Sequence, residues 1–181
     1  VGRGGALVGR PGGGGFPLVA VVVAACSGSA TPSPTPSAGA IRYVALGDSY
    51  TIGTSVAESV SWPNQLVDRL AGSVGLQIVA NLGVNGYATA NLINDELPQL
   101  DGLRPDFVTV LIGVNDVVRG TPADAYRANM TQIFDFLLDR LPANRIVVVS
   151  TPDYTRTPAG NPFGDPIQHR AAIAQLNGIP H

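Results

Sequence analysis

The chain has 181 residues, 45% apolar and 13% charged, with a formal net charge of -2: enough for one α/β domain with flanking sequence, too short for two, and without the basic face a nucleic-acid partner needs. All 11 basic residues are arginine, which excludes a P-loop, a pyridoxal Schiff base and a Ser-Lys dyad, since each needs a lysine. One cysteine, Cys26, and two histidines, His169 and His181, allow no intramolecular disulfide and make a zinc or iron–sulfur site implausible.

Residues 1–15 are glycine-rich and carry Arg3 and Arg10 as their charges. The apolar run from Phe16 to Ala25 is shorter than the roughly 20 residues that span a bilayer. A positive start, a short apolar stretch and small residues at its end describe an export signal. Its last residues, Val23-Ala24-Ala25-Cys26, resemble a bacterial lipobox, which implies a lipid on Cys26. The sequence therefore predicts a signal over 1–26 and a Pro/Ser/Thr-rich tether over 27–40. The expected location is the outer face of a bacterial membrane, anchored through Cys26, or the exterior as a secreted protein.

From residue 41 onward, apolar runs at 41–46, 76–82, 106–112 and 145–150 predict strands covered on both faces. Between them, 62–71 predicts a helix with Ser61 as N-cap and Gly72 as stop, and 89–97 a shorter one ended by Pro98. The stretch 122–141 predicts the longest helix, opened by Thr121 as N-cap, and Asp165-Pro166 begins a last one. This alternation specifies an α/β fold, a three-layer αβα sandwich on a parallel sheet. Ligands in such sheets bind at the carboxyl ends of the strands.

Three glycine-containing polar turns follow the first three strands: Gly47-Asp48-Ser49, the Gly83 turn after Asn81, and Gly113-Val114-Asn115-Asp116. Ser49 offers a hydroxyl on a tight turn. The N–H groups of Ser49 and Gly83 and the carboxamide of Asn115 are candidate donors to an oxyanion. In this order and spacing the turns resemble the first three conserved blocks of SGNH (GDSL-type) serine hydrolases. The resemblance runs from Ile41 to about Asn177, and implies a flavodoxin-like sheet of order 2-1-3-4-5 and hydrolysis of small-molecule esters such as lipids or acylated sugars. It also implies Ser49 as nucleophile, an oxyanion hole of Ser49, Gly83 and Asn115, and no metal or cofactor.

The family's general base is a histidine in an Asp-x-x-His block, and no such run occurs in these 181 residues. The domain over 41–181 is thus expected to lack its last strand and helix, with the fourth strand left as an open edge. Of the two histidines, His181 reads as a terminal residue, and His169 as a solvated residue of the last helix or, in the other reading, the base. Weak or no esterase activity is the expectation for this polypeptide. Two other readings stay open: a flavodoxin-like FMN carrier using the segment 49–55, and a non-catalytic surface lipoprotein that binds acylated or glycan ligands.

Overall fold

The computed structural model describes residues 39–179. The lipobox-like run ending at Cys26, nearly all of the 27–40 tether, and His181 lie outside the described residues. Four strands, β1 (Ile41–Gly47), β2 (Leu76–Asn81), β3 (Phe107–Leu111) and β4 (Ile146–Val148), pair in the order β2-β1-β3-β4. Every pairing is parallel. The α/β architecture expected from the alternation is therefore present.

Strand β1 shows why its sequence is apolar from Tyr43 to Leu46. Val44 and Leu46 join Val108 and Val110 of β3 in packing against Leu92, Met130, Ile133 and Leu137. The alternate residues Tyr43 and Ala45 face the other layer, with Leu66, Val67 and Leu70. A strand alternates its side chains between faces, so only an unbroken apolar run serves two helical layers. Burial of each large aliphatic side chain contributes about 1.5–3 kcal/mol. The polar exception on the second face is satisfied locally, by a 2.7 Å hydrogen bond between the Tyr43 hydroxyl and Thr109 Oγ1.

The helices are α1 (Ser49–Ile52), α2 (Trp62–Leu70), α3 (Thr89–Asn91), α4 (Leu100–Leu103), α5 (Val114–Arg119), α6 (Ala123–Leu138) and α7 (Pro166–Asn177). Three local expectations need correction. The helix expected over 89–97 does not stop at Pro98: α3 runs into a π-helical turn over Leu92–Glu96 and a 3₁₀ turn over Leu97–Gln99, then α4. Proline lacks an N–H and crowds the carbonyl four residues back, and the change of helical pitch around residue 97 accommodates both. Helix α6 takes Pro122, not Thr121, in the N-cap position. Ser61 does precede α2, yet its Oγ accepts from Asn64 Nδ2 at 2.9 Å and caps no backbone group. Asp165 caps α7 as anticipated, accepting from the Ile167 N–H at 2.8 Å.

The fourth strand is shorter than its apolar run. Three residues pair with β3, and Val149 adds one more bond, its N–H donating to Val110 O at 2.9 Å. Strand β4 forms the edge of the described sheet, with Val147 44% and Val148 37% exposed.

Candidate active site

Strand register fixes the position of the three turns. Ala45 of β1 pairs with Asn81 of β2, and Gly47 pairs with Leu111 of β3. The strands finish nearly level, so the turns after them open on one edge of the sheet, where such folds bind ligands.

The first turn is built around Asp48, which is fully buried. Its Oδ1 accepts from the Tyr50 N–H at 2.9 Å, and its carbonyl accepts from the Thr51 and Ile52 N–H groups at 3.0 Å each. Gly53 closes the turn by donating to Ser49 O at 3.1 Å. Ser49 is thereby the first residue of a one-turn helix, so its own N–H has no intrahelical acceptor. It is half-buried, and no hydrogen bond joins its Oγ to another described residue. Asp48 pins the turn by these hydrogen bonds.

Beyond Asn81 the second segment keeps to the ladder: Leu82 N–H donates to Ala45 O at 2.8 Å and Val84 N–H to Gly47 O at 3.2 Å. This lays Gly83 directly over the first turn. A Cβ at position 83 would lie 2.7 Å from Ile52 N and 2.9 Å from Asp48 O, too close for any side chain. Asn81 stitches the two turns together. Its Nδ2 donates to Thr51 O at 2.8 Å, while its Oδ1 accepts from the Gly83 N–H at 3.1 Å. The amide assigned by resemblance to the oxyanion is thus occupied by Asn81 in this structure.

The third turn begins at Gly113, whose φ of +131° favours glycine and whose Cβ would sit 2.7 Å from Thr151 Oγ1. Helix α5 starts from it and carries Asn115, whose Nδ2 donates to Tyr87 O at 2.8 Å. The neighbouring Asp116 is buried and receives two bonds from Thr89: N–H to Oδ2 at 2.9 Å and Oγ1 to Oδ1 at 2.8 Å. Asn129 Nδ2 donates in turn to Thr89 Oγ1 at 2.8 Å. This network clamps α5 to α3 and α6, and so fixes the base of Asn115.

The three sequence candidates are therefore linked unequally. The Ser49 and Gly83 turns touch, whereas Asn115 is joined to them through Tyr87, four residues along the Gly83 segment. His169 stands apart: its Nδ1 and the Tyr154 hydroxyl share a hydrogen bond of 2.7 Å, and its ring packs edge-on at 5.9 Å from that of Tyr154. The Tyr154 phenol is pushed above its usual range by burial first, then by the charges of Tyr50 and Asp153.

Sequence reading missed Asn81 and Glu96. Glu96 is 1% exposed, and its Oε2 accepts from the Gly47 N–H at 2.9 Å. Its Oε1 and the Oδ2 of Asp48 are both buried without a partner among the described residues. Burial raises Glu96 to about 8; the Gly47 N–H opposes this, while the charges of Asp48 and Asp95 reinforce it. Burial likewise raises Asp48 to about 6, against the Tyr50 N–H and with the charge of Asp116. A signal for Glu96 did exist: Leu92, Glu96 and Leu100 recur at four-residue spacing, placing one carboxylate in an apolar stripe. Among the described residues no group of three or more His, Cys, Asp or Glu side chains could hold a metal ion, and no helix is long and apolar enough to cross a membrane.

Comparison with known proteins agrees with this arrangement. The model of the GDSL-like lipase/acylhydrolase family matches residues 45–179. An arylesterase of Vibrio mimicus is 32% identical over 99 residues, which are 54% of this chain and 49% of that protein, so the chain spans about half the length of this curated relative. Among solved structures, the psychrotrophic esterase EstA from Pseudoalteromonas sp. superposes with a TM-score of 0.53 at 16% identity, covering 75% of this chain and 70% of that one. The acetylxylan esterase Axe2 from Geobacillus stearothermophilus gives 0.54 at 19% identity, covering 76% and 72%. These two likenesses speak to the fold. The family match takes in all three turns, from the last residues of β1 to the end of α7, and by it the chain belongs to the GDSL-like lipase/acylhydrolase family.

Proposed function

We propose that the protein hydrolyses carboxylic esters with Ser49 as nucleophile. The observation that carries this reading is the contact between two turns: Gly83 lies against the Asp48–Ile52 backbone with no room for a side chain, leaving the Ser49 hydroxyl unbonded to other described residues on a rigid turn at the ligand-binding edge. Nucleophilic acyl transfer needs such a hydroxyl and pre-set donors for the oxyanion. The Ser49 N–H is one. Asn115 has two amide hydrogens, of which Tyr87 O takes one, so the other remains. The Gly83 N–H would serve as the third by giving up Asn81.

The substrate is a small ester whose acyl or aryl part lies against Tyr50, Ile52 and Val84, apolar side chains exposed on or beside the Ser49 and Gly83 turns. An aromatic or short acyl ester fits that surface, in keeping with the arylesterase name of the Vibrio mimicus relative. Turnover by these 181 residues is slow, because His169 is hydrogen-bonded to Tyr154 and not to Ser49. The test is release of p-nitrophenol from p-nitrophenyl acetate. Slow hydrolysis that falls to the buffer rate in Ser49→Ala is the expected result. Equal rates in both proteins would overturn the assignment of Ser49, and turnover near a typical enzyme's ~10 s⁻¹ would overturn the slow rate.

We propose further that Cys26 carries the lipid that anchors this enzyme outside the cell, with residues 27–40 as its spacer. The support is the Val23-Ala24-Ala25-Cys26 run after a short apolar stretch. Radiolabelled palmitate should enter the protein expressed in a bacterium and be lost in Cys26→Ser; labelling that survives this substitution refutes the anchor.

A further inference from the structure

The ester-hydrolase reading uses the three turns and leaves one group unemployed. Glu96 ends a π-helical turn, a rare conformation that often marks a functional position. From there it reaches under the Ser49 turn and accepts from the Gly47 N–H, the amide two residues before the nucleophile. A buried carboxylate keeps its charge only with hydrogen-bond donors or a cation to offset the loss of water. Glu96 has one donor on Oε2 and none on Oε1; the adjacent Asp48 has the Tyr50 N–H on Oδ1 and nothing on Oδ2. Two ionised carboxylates facing the same short stretch of backbone would repel with four oxygens and too few donors.

We propose that Glu96 is a positioning residue for the nucleophile, holding the Gly47–Ser49 turn through the Gly47 amide while it and Asp48 keep one proton between them. The proposal rests on the reading of Ser49 as the nucleophile. The proton resides on Glu96, the more strongly perturbed of the two, whose carboxyl is raised to about 8. Among the described residues, the charged groups acting on the pair are acidic. Asp48 faces Glu96 from the first turn and Asp95 from its own helical turn. Asp116 of α5 acts on Asp48, and Tyr87 from the Gly83 segment feels Asp95 and Glu96. Loss of the shared proton therefore adds a second negative charge that no cation among the described residues offsets, and the Gly47–Ser49 turn shifts as Glu96 and Asp48 separate. The nucleophile of this hydrolase is in register only while Glu96 is protonated.

The test is an NMR titration of the wild-type protein from pH 6 to 9.5, following the Gly47 and Ser49 amides. Both should move with one midpoint near 8, and the movement should vanish in Glu96→Gln, which keeps the shape and the acceptor for Gly47 but cannot ionise. Amides that do not titrate in the wild type overturn the proposal, as does a titration that persists in Glu96→Gln. Should that variant not fold, the wild-type Glu96 carboxyl carbon decides alone: a midpoint in the ordinary glutamate range sinks the shared proton. A second readout couples the titration to reactivity. The ratio of fluorophosphonate labelling of Ser49, wild type over Glu96→Gln, should fall about tenfold between pH 7 and 9; a constant ratio removes the positioning role. A Ser49 that never labels would overturn the esterase reading instead, while the amide titration still rules on Glu96.

Discussion

Gly83 lies so close to Asp48 that a methyl group on it would sit 2.9 Å from the Asp48 carbonyl oxygen. That oxygen already accepts from Thr51 and Ile52, the two amides that make the helical turn behind Ser49. The second turn is thus packed on the hydrogen bonds that shape the first.

Gly83→Ala should therefore damage both turns at once. Relieving a clash against backbone atoms requires moving one strand end, which costs about 1–3 kcal/mol. A urea melt should show that loss, and hydrolysis of p-nitrophenyl acetate should fall by about a hundredfold or more as the oxyanion donors separate. A variant with wild-type stability and rate would contradict the packing described.

Asp116 tests the clamp under Asn115. Asp116→Ala leaves the buried Thr89 N–H without an acceptor and removes the two buried bonds between α5 and α3. An unsatisfied buried donor costs about 1–3 kcal/mol, so the midpoint of denaturation should drop accordingly. Asn115→Ala should leave stability closer to wild type, because it removes one bond to a partly buried carbonyl. Equal losses in the two variants would place the clamp elsewhere.

Stability should depend on pH through Glu96 and Asp48. Both carboxyls titrate higher in the folded chain than when unfolded, Glu96 at about 8 against 4.5 and Asp48 at about 6 against 3.8. Between those values the folded state holds more protons, so unfolding free energy declines as pH rises. The stability is fully present below about 3.8 as far as these two groups decide it, and is lost as pH climbs through 6 and then 8. Denaturant midpoints measured at pH 5, 7 and 9 should fall in that order. In Glu96→Gln the step between 7 and 9 should disappear, and its persistence would assign the step to another group.

Ile133 is fully buried on α6 between the helix and the sheet. Ile133→Ala should cost about 2–5 kcal/mol by cavity formation. Calorimetry of this variant gives the scale of ordinary core damage. Any effect of Glu96→Gln on activity is informative only if its effect on stability is well below that.

The residues that fold this chain were easier to read than those that tune it. The unbroken Tyr43–Leu46 run announced a central parallel strand, because only burial on both faces tolerates it. Gly47, Gly83 and Gly113 each closed an apolar run, so their common edge followed from the alternation of strands and helices. Asn81 and Glu96 escaped because they bond backbone atoms remote in sequence, Thr51 and Gly47; the apolar stripe around Glu96 marks its burial but not its partner. Pro98 misled for a related reason. Proline normally stops a helix, and the compensating change of pitch depends on the packing of Leu92, Leu97 and Leu100 in the core. The shortness of β4 was invisible too, since Val149 is as apolar as the residues that do pair.

The wide turn over Leu92–Glu96 also sets the phase between the two halves of its helix. Each residue of an α-helix rotates the next by about 100°, and a π-helical turn rotates each by less, so the five residues Leu92–Glu96 cover about the same angle as four in regular winding. Removing one residue ahead of Glu96 would therefore restore regular winding and leave the carboxyl on the buried stripe. The wide turn absorbs an extra residue, and phase is the quantity that this segment conserves.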